Sequence, residues 1–427
     1  MGDLARPDLQ TPTAIPEVQL GRADIGSEPN IAVSPNGTLY VSTPLQLWRS
    51  DDAGKTYQAL GDPACPVYQI QLPQCAGPLE SKNPGLDGGG DGDLAVDSKG
   101  QVHWVGLGGS VGPIPYQISK VRGESFPAAV DLSNGTGNDR QWIDVSSNDT
   151  LHVAWRDQDG YVVVNSHDDG ATWSDKVKVN DDMLAGPIVH DPVNQTTLYI
   201  PALSGNSLVL AKSVDDGEHW KILDVLSVPS SPADISFVTS IFPVVAADTN
   251  HTLYYVVSMR QPTLPSAAPK SAHDFGVYLL VSHDGGASWS QPALVSAPQK
   301  AAVLAWIVAG LPGRIAVSYY QNTVGLPNDN TPDLWNVWVS ESVTADRAQP
   351  TWASVQLNSQ PNHIGSICTA GSACLLTGGD RSLLDFFEMA IGADGQPRVT
   401  WSADADTPPA LSSMVFAGGI ATGTPLR

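Results

Sequence analysis

The sequence predicts an all-β fold, and three observations lead to this prediction. Glycine and proline are abundant, with 40 and 34 copies among 427 residues, and both are spread along the chain. Short apolar segments alternate with turn residues, which is typical of strands joined by tight turns. The third observation is a set of internal repeats, described next. Separately, the chain has no continuous apolar run of about 18 residues, so no transmembrane helix is predicted.

One hairpin pattern recurs seven times. Each copy has an apolar strand, a turn with Gly or Asn, and a second strand, as in NIAVSPNGTLYVS from Asn30. Successive copies begin about 45 to 80 residues apart, which leaves room for four strands and their loops. We therefore predict a seven-bladed β-propeller with four-stranded antiparallel blades, and six blades as the alternative. The other copies begin at Asp93, Trp142, Ile188, Val244, Trp306 and Glu388.

The ends of the chain are predicted to complete the last blade. Segment 411–419 (LSSMVFAGG) is a third strand after the final hairpin, and segment 15–21 (IPEVQLG) can supply the outermost one. An N-terminal strand in this place closes the ring and leaves no free sheet edge. No linker or low-complexity segment interrupts the chain, so we predict a single propeller domain over residues 1–427, with 1–14 as an extended segment.

A second repeat has the common form Ser-x-Asp-x-Gly-x-Thr/Ser-aromatic. Its Ser and Asp oxygens can accept backbone hydrogen bonds, and its glycine can adopt a positive φ, so it predicts a tight turn. The motif resembles the Asp-box, or BNR, repeat of sialidases and related propellers. We interpret its acidic residues as part of the turn and not as catalytic groups. The four copies are SDDAGKTY (50–57), SHDDGATW (166–173), SVDDGEHW (213–220) and SHDGGASW (282–289).

The net charge and the cysteines bear on the protein's partners and on its cellular compartment. A net charge of −22 argues against nucleic-acid binding, which needs clustered Lys and Arg. The cysteines form two close pairs without zinc-site spacing, so we predict the disulfides Cys65–Cys75 and Cys368–Cys374, with four unpaired thiols as the alternative. Disulfides indicate an oxidising compartment. Glycosylation sequons begin at Asn36, Asn134, Asn148, Asn194 and Asn250.

We expect a secreted or extracellular monomer, with a periplasmic or cell-surface protein as the alternative. The first residues, MGDLARPDLQTPT, do not resemble a signal peptide. An export signal that was removed, with Met1 added in cloning, would account for them.

Rim positions can be compared by aligning the hairpins on their turns. In a propeller, the first strand of each blade begins, and the second ends, at the same mouth of the ring. We predict a site for a glycan or another anionic ligand at this mouth; the alternative is a solvated polar rim. The residues just before the first strands are Glu28, Asp91, Arg140, Leu304 and Phe386. Two residues further on are Asn30, Asp93, Trp142, Trp306 and Glu388, and the second strands end near Arg156, Arg260 and Tyr320.

The loop GLDGGGDGDLAVD (85–97) is a candidate Ca²⁺ site. Asp87, Asp91 and Asp93 bring carboxylate oxygens together, and Ca²⁺ takes six to eight oxygen ligands. The loop does not follow the EF-hand pattern. No other cofactor is expected, because the sequence has no phosphate loop, nucleophile elbow or zinc-protease motif.

The resemblance to sialidases implies a carbohydrate-active protein. That family uses three arginines to hold the substrate carboxylate, a tyrosine nucleophile assisted by a glutamate, and an aspartate as acid/base. By position on the repeat, Tyr320 is the candidate nucleophile, with Glu28 or Glu388 as its assistant and Asp91 or Asp93 as acid/base. The residues assigned to substrate binding are Arg140, Arg156, Arg260, Arg381, Trp142 and Trp306.

One family motif is absent. Sialidases carry Arg-Ile-Pro near the first blade, whereas this chain has Glu28-Pro29-Asn30 in GRADIGSEPNIAV. One carboxylate-binding arginine is thus missing, and we expect a glycoside hydrolase for another acidic glycan instead of a strict sialidase. The alternatives are a polysaccharide lyase and a non-catalytic extracellular propeller that binds a glycan, a protein or a metal.

Overall fold

The computed structural model describes residues 7–23, 28–44, 46–60, 91–109, 111–181, 183–205, 207–227, 241–260, 275–323, 333–371, 374, 376, 379–404 and 413–427. Thirty β-strands run through these residues and form seven antiparallel sheets. Within the same ranges, no helix is long and apolar enough to cross a membrane.

Blades 1 to 3 each contain four strands in sequence order from the inside of the ring outward. Blade 1 consists of β2 (Asn30–Val33), β3 (Leu39–Thr43), β4 (Gln46–Ser50) and β5 (Gln58–Ala59). Blade 2 consists of β6 (Gly92–Val96), β7 (Val102–Gly106), β8 (Pro115–Ser119) and β9 (Val130–Asp131). Blade 3 consists of β10 (Asp139–Val145), β11 (Leu151–Asp157), β12 (Gly160–Ser166) and β13 (Val177–Asn180).

Blades 4 to 6 follow the same order, with one additional short strand in blades 4 and 6. Blade 4 consists of β14 (Leu184–Ala185), β15 (Val189–His190), β16 (Leu198–Ser204), β17 (Ser207–Ser213) and β18 (Lys221–Ser227). Blade 5 consists of β19 (Val244–Ala247), β20 (Leu253–Arg260), β21 (Phe275–Ser282) and β22 (Ala293–Leu294). Blade 6 consists of β23 (Ala302–Ala309), β24 (Ile315–Asn322), β25 (Leu334–Ser342), β26 (Ala353–Gln356) and β27 (His363–Ile364).

Blade 7 joins the two ends of the chain. It contains β28 (Met389–Ile391), β29 (Pro397–Ala403), β30 (Ser413–Thr422) and, on the outside, β1 (Thr13–Ala23). The pairing of β1 with β30 includes the partners Gln19 and Phe416. The predicted N-terminal outer strand is therefore confirmed, and so is the prediction of seven blades over six.

The inner strands close the ring. β2, β6, β10, β15, β19, β23 and β28 contact one another in this order, and β28 contacts β2 again. Each of the seven predicted hairpins forms the two innermost strands of one blade. The apolar core lies between neighbouring sheets, which explains why all eight residues of β20 are buried, since each blade is covered on both faces.

The four Ser-x-Asp-x-Gly turns connect the third and fourth strands of blades 1, 3, 4 and 5. In the first, Ser50 Oγ donates to Asp52 Oδ1 at 2.8 Å and accepts from the amide of Gly54 at 2.9 Å. Asp52 then accepts from the amide and hydroxyl of Thr56. The same bonds recur in the other copies, with His219 in place of the hydroxyl residue in one. These acids are thus committed to turns, as the sequence predicts.

These turns lie at the end of the ring opposite the predicted site. Lys99, in the hairpin turn of blade 2, forms a 2.6 Å ion pair with Asp169, in the Ser-x-Asp-x-Gly turn of blade 3. The hairpin turns join the far ends of the inner strands, so both sets of turns share one face. The five sequon asparagines are exposed, and their glycosylation stays a prediction.

Candidate functional site

The site begins with a break in the inner strand of blade 3. Asp139 pairs with Arg156, but the next pair in register is Trp142 with Ala154, so two residues bulge out of the ladder. Arg140, the first of them, has a φ of 55°. A bulge of this kind changes the direction of a side chain, and here it leads Arg140 away from the sheet. Blade 6 has the same bulge at the matching position, Leu304.

Arg140 and Arg381 meet at one carboxylate. Arg140 Nη2 lies 3.4 Å from Asp385 Oδ2, and Arg381 Nη2 lies 2.9 Å from Asp385 Oδ1. The Nη1 atom of each arginine is buried and has no hydrogen-bond partner among the described residues. A Cβ placed on Gly371 would be 3.9 Å from an Nη atom of both, so the two groups approach the same point of the backbone. The guanidinium groups therefore retain donors for a further anionic group.

Glu28 connects blade 1 to this ion pair. Its Oε1 accepts a 3.0 Å hydrogen bond from the backbone amide of Asp385. Burial raises the pKa of Glu28 well above its usual value, and the charge of Asp91 and a side-chain hydrogen bond to Asp91 raise it further. These effects favour the protonated form of Glu28, which forms a hydrogen-bonded pair of side chains with Asp91. Asp91 is the partly exposed member of that pair.

Asp139 completes the group. Its Oδ1 accepts from the backbone amide of Arg140 at 3.0 Å. Burial raises the pKa of Asp139, and the charge of Arg140 partly offsets this effect. We call this set of side chains the mouth cluster; it consists of Glu28, Asp91, Asp139, Arg140, Arg381 and Asp385.

Four aromatic rings form a floor beside the mouth cluster. Trp142 packs on Phe386 at 4.9 Å and on Phe242 at 5.0 Å, measured between ring centroids, and Trp306 lies 6.0 Å from Trp142. The guanidinium carbon of Arg140 lies 5.1 Å above the Phe242 ring, a cation–π contact. All four rings are at least 92% buried, the most exposed being Trp306 at 8%. Because they are buried, they leave little ring surface for stacking on a ligand.

Asp93 and Glu388 lie deeper, in the wall of a cavity of about 250 Å³ along the ring axis. Asp93 Oδ2 accepts from the amide of Ile143 in blade 3 at 2.8 Å, and Glu388 Oε2 accepts from the amide of Ile31 in blade 1 at 3.1 Å. Each carboxyl group thus links its blade to the next. Burial raises the pKa of Asp93 to about 7 and that of Glu388 well above its usual range.

Tyr320 lies outside the mouth cluster. It is fully buried, stacks on Phe387 at 4.2 Å, and its hydroxyl oxygen accepts a long 3.5 Å bond from the amide of Ser402. Burial raises its pKa. These contacts place Tyr320 between blades 6 and 7, so its predicted role as a nucleophile remains a hypothesis that this geometry does not favour.

The other two predicted arginines, Arg260 and Arg156, have other described contacts. Arg260, at the end of β20, is buried, and its guanidinium carbon lies 5.3 Å above the ring of Phe275. Arg156, at the end of β11, is half-buried and pairs in register with Asp139 and Tyr161. Of the four arginines, Arg140 and Arg381 are the two that contact Asp385.

A disulfide holds the segment that carries Arg381. Cys368 and Cys374 are bonded, with their Cα atoms 6.0 Å apart, which confirms the second predicted pair. The amide of Cys368 donates to the carbonyl of Asp380 at 2.8 Å, so the cystine fixes the start of 380–385. Cys65, Cys75 and Asp87 lie outside the described residues, so the first disulfide and the calcium loop stay predictions.

The sequence analysis did not assign Asp385, Phe242 or Tyr161. Asp385 immediately precedes the rim position Phe386, so extending the alignment by one residue would have included it. Phe242 lies two residues before Val244 and matches Glu28 of blade 1, so extending the same alignment to blade 5 would have included it. Tyr161 could not be found in this way, because it belongs to a third strand. Its buried hydroxyl has no partner among the described residues and is close enough to Arg140 and Asp139 to feel their charges.

Comparison with known proteins shows the fold. No protein-family model matches the chain, and no curated protein matches it in sequence. A GH74 xyloglucanase from Xanthomonas campestris is 14% identical over 94% of this chain and 55% of its own, with a TM-score of 0.50. A PL25 ulvan lyase bound to -[GlcA(1-4)Rha3S]- is 12% identical over 91% of this chain and 93% of its own, with a TM-score of 0.50. An intramolecular trans-sialidase from Ruminococcus gnavus is 12% identical over 97% of this chain and 98% of its own, with a TM-score of 0.43.

Proposed function

We propose that this protein is a secreted carbohydrate-active propeller, a glycoside hydrolase that cleaves an acidic glycan at the mouth cluster. The observation that carries the proposal is the convergence of Glu28, Asp91, Arg140 and Arg381 around Asp385. These residues come from blades 1, 2 and 3 and from the segment before blade 7. Polar groups of opposite charge held together by several elements are typical of a ligand site.

The carboxyl pair supplies acid/base chemistry. Glycosidases need a group that donates a proton to the leaving oxygen, and Asp91, with Glu28 behind it, is our candidate for this single acid/base role. Burial and the neighbouring charge of Asp91 raise the pKa of Glu28, which favours its protonated form. Asp91 is partly exposed and therefore is the member expected to touch the substrate, while Glu28 maintains the shared proton behind it.

The arginines supply recognition of an acid group. Nη1 of Arg140 and Nη1 of Arg381 lack partners within the described part of the chain, although both groups contact Asp385. A carboxylate or sulfate on a sugar would accept from these donors in a charge-assisted bond. The hydroxyl groups of a neutral glycan can also accept from these donors, but without the opposite charge that makes such a bond about twice as strong.

The similar structures are consistent with this proposal at the level of the fold. The two with a TM-score of 0.50 are a xyloglucanase and a lyase solved with a glucuronic-acid-containing ligand, so this architecture hosts chemistry on polysaccharides. Fold and function are separable, and the substrate class is therefore argued from the charges of the mouth. The Cys368–Cys374 disulfide supports the proposed secretion.

The test is turnover on a panel of sialosides and uronic-acid polysaccharides. Asp91→Asn is expected to lower the turnover number at least a hundredfold, and Arg140→Gln to raise KM at least tenfold for acidic substrates. Asp175→Asn and Arg347→Gln change exposed residues of the same types and should match the wild type. Absence of turnover on every substrate in the panel would refute the hydrolase.

A non-catalytic glycan-binding propeller is the second candidate. Asp385 already neutralises part of the charge on Arg140 and Arg381, and the rings of the aromatic floor are buried, which favours binding at the surface without turnover. This candidate predicts that acidic glycans bind to the wild type and not to Arg140→Gln, while no product is released.

A further inference from the structure

His363 is a buried side chain beside the turn that carries Arg381. It belongs to β27 of blade 6 and is 2% exposed. Its Nδ1 lies 2.8 Å from Oδ1 of Asp404, which follows β29 of blade 7. On the turn itself, Asp380 Oδ2 lies 4.0 Å from Nε2 of the imidazole, and Ser382 Oγ lies 3.5 Å from Nδ1. The ring therefore faces both residues that flank Arg381 in the chain.

Two amide hydrogen bonds shape residues 380–384, which we call the arginine turn. The amide of Ser382 donates to Asp380 Oδ1 at 2.9 Å, and the amide of Leu384 donates to the carbonyl of Arg381 at 2.9 Å. The next residue is Asp385, whose carboxylate contacts the guanidinium group of Arg381. The position of Arg381 at the mouth cluster therefore depends on the conformation of this turn.

The surroundings of His363 favour its charged form. Burial alone would lower the pKa of His363, but the hydrogen bond and charge of Asp404, the charge of Asp380 and a backbone hydrogen bond with Ser366 raise it overall. Carboxylates face opposite ring nitrogens, which suits an imidazolium ion, because it donates from both nitrogens and a neutral ring donates from one. The Tyr320 hydroxyl also feels the charge of Asp404, but burial raises its pKa, so it stays neutral where His363 titrates.

From this geometry we propose that His363 is a positioning residue for Arg381: its imidazolium ion ties the arginine turn to blades 6 and 7 and thereby holds Arg381 at the mouth cluster. The proposal rests on the proposed function only in taking Arg381 as a ligand-binding group. It adds regulation by pH, because loss of the ring proton removes one of the two donors that face the carboxylates of Asp380 and Asp404.

The direction of the pH effect follows from the raised pKa of His363. The stabilisation of the arginine turn is complete below the ordinary histidine pKa of 6.5 and is lost as pH rises through the pKa of the folded protein. A side chain that only filled space would give a turn whose stability does not follow the charge of the ring. The dependence on pH therefore separates the positioning role from a purely structural one.

The amides of Ser382 and Leu384 report on the turn without any ligand. Each donates one hydrogen bond within residues 380–384, so its protection from hydrogen exchange measures the stability of the arginine turn. The amide of Asp385 is a poorer reporter, because it donates to Glu28, a carboxyl group with a raised pKa of its own.

The experiment is hydrogen exchange of the full chain from about pH 6 to about pH 9, read by mass spectrometry and corrected for the intrinsic effect of pH. In the wild type, exchange at Ser382 and Leu384 should rise at least fivefold as His363 loses its proton, which NMR of ¹³C-labelled histidine follows. His363→Gln should exchange at least fivefold faster at about pH 6 and show no such rise. His219→Gln changes an exposed histidine that pairs with Asp215, and it should keep the wild-type profile.

Asp380→Asn tests the proposal even if His363→Gln does not fold. The side chain of Asp380 is 44% exposed, and asparagine retains the Oδ1 atom that accepts from the Ser382 amide while removing the charge that faces His363. Because that charge raises the pKa of His363, the midpoint of the exchange profile should move to lower pH.

Two results would overturn the proposal. One is wild-type exchange at Ser382 and Leu384 that does not change as His363 titrates. The other is a wild-type exchange profile in Asp380→Asn or in folded His363→Gln. No glycan is present in these measurements, so they are independent of turnover on the substrate panel. The hydrolase can therefore be refuted while the positioning role of His363 is confirmed, and the reverse also holds.

Discussion

The backbone amide of Asp385 donates a 3.0 Å hydrogen bond to the carboxyl group of Glu28, across 357 positions of sequence. The bond joins the first blade to the segment that precedes the last one, at the point where Arg140 also contacts Asp385. Ring closure and the candidate site are therefore built by the same residues, and a change at the seam between blades 7 and 1 should affect both.

Comparison of Asp91→Asn with Tyr320→Phe should show which of the two residues is needed for turnover. Tyr320 is buried and its hydroxyl makes one long bond, so Tyr320→Phe is expected to change the free energy of unfolding by less than about 1 kcal/mol and to preserve turnover. Asp91→Asn should lower the turnover number at least a hundredfold. Steady-state kinetics on the substrate identified by the panel measures both. Loss of turnover in Tyr320→Phe, with an intact fold, would restore Tyr320 as the nucleophile.

Gly170→Ala should destabilise the protein much more than Gly100→Ala. Both glycines have a positive φ, but a Cβ on Gly170 would lie 2.2 Å from the Tyr116 hydroxyl, whereas nothing lies within 4 Å at Gly100. We expect losses of about 3 and about 1 kcal/mol in the free energy of unfolding, respectively. Denaturant titration measures them, and equal losses would show that contact with the neighbouring blade is unimportant.

The raised pKa of Glu341 leads us to expect that the free energy of unfolding decreases as pH rises from acidic to neutral values. Burial raises its pKa from 4.5 to about 7, so the folded state binds a proton that the unfolded state has released. The resulting stabilisation is complete below about pH 4.5 and is lost as pH rises through 7, by about 3 kcal/mol. Glu341→Gln should flatten this part of the pH profile. Glu218→Gln, at an exposed position, should not.

Removal of the Cys368–Cys374 disulfide should have a small effect on the free energy of unfolding and a larger effect on ligand affinity. The cysteines are six positions apart, so the loop-closure model predicts a loss of only about 2 kcal/mol for the double serine variant. Binding of an acidic glycan should fall at least tenfold, because Arg381 and Asp385 follow this loop. A larger loss of stability with unchanged binding would contradict that role.

The candidate site could be predicted only in part. Glu28, Asp91, Arg140 and Arg381 were found because equivalent positions on repeated hairpins reach the same mouth. Asp93 and Glu388 occupy equivalent positions on their hairpins, but they accept amide hydrogen bonds from the neighbouring blade. Position on a repeat specifies which end of a strand a residue occupies; whether its side chain faces solvent or the next blade depends on contacts between blades.

The sequence by itself determined the all-β class, the seven hairpins, the tight turns and the N-terminal outer strand, because local turn chemistry and period-two alternation are written in neighbouring residues. Only the tertiary structure decided that Arg140 and Arg381 share Asp385, that Tyr320 is enclosed between blades, and that His363 meets Asp380 and Asp404. These relationships join residues from different blades. They depend on a bulge, a disulfide-bonded segment and the packing of one sheet on the next, which no local pattern specifies.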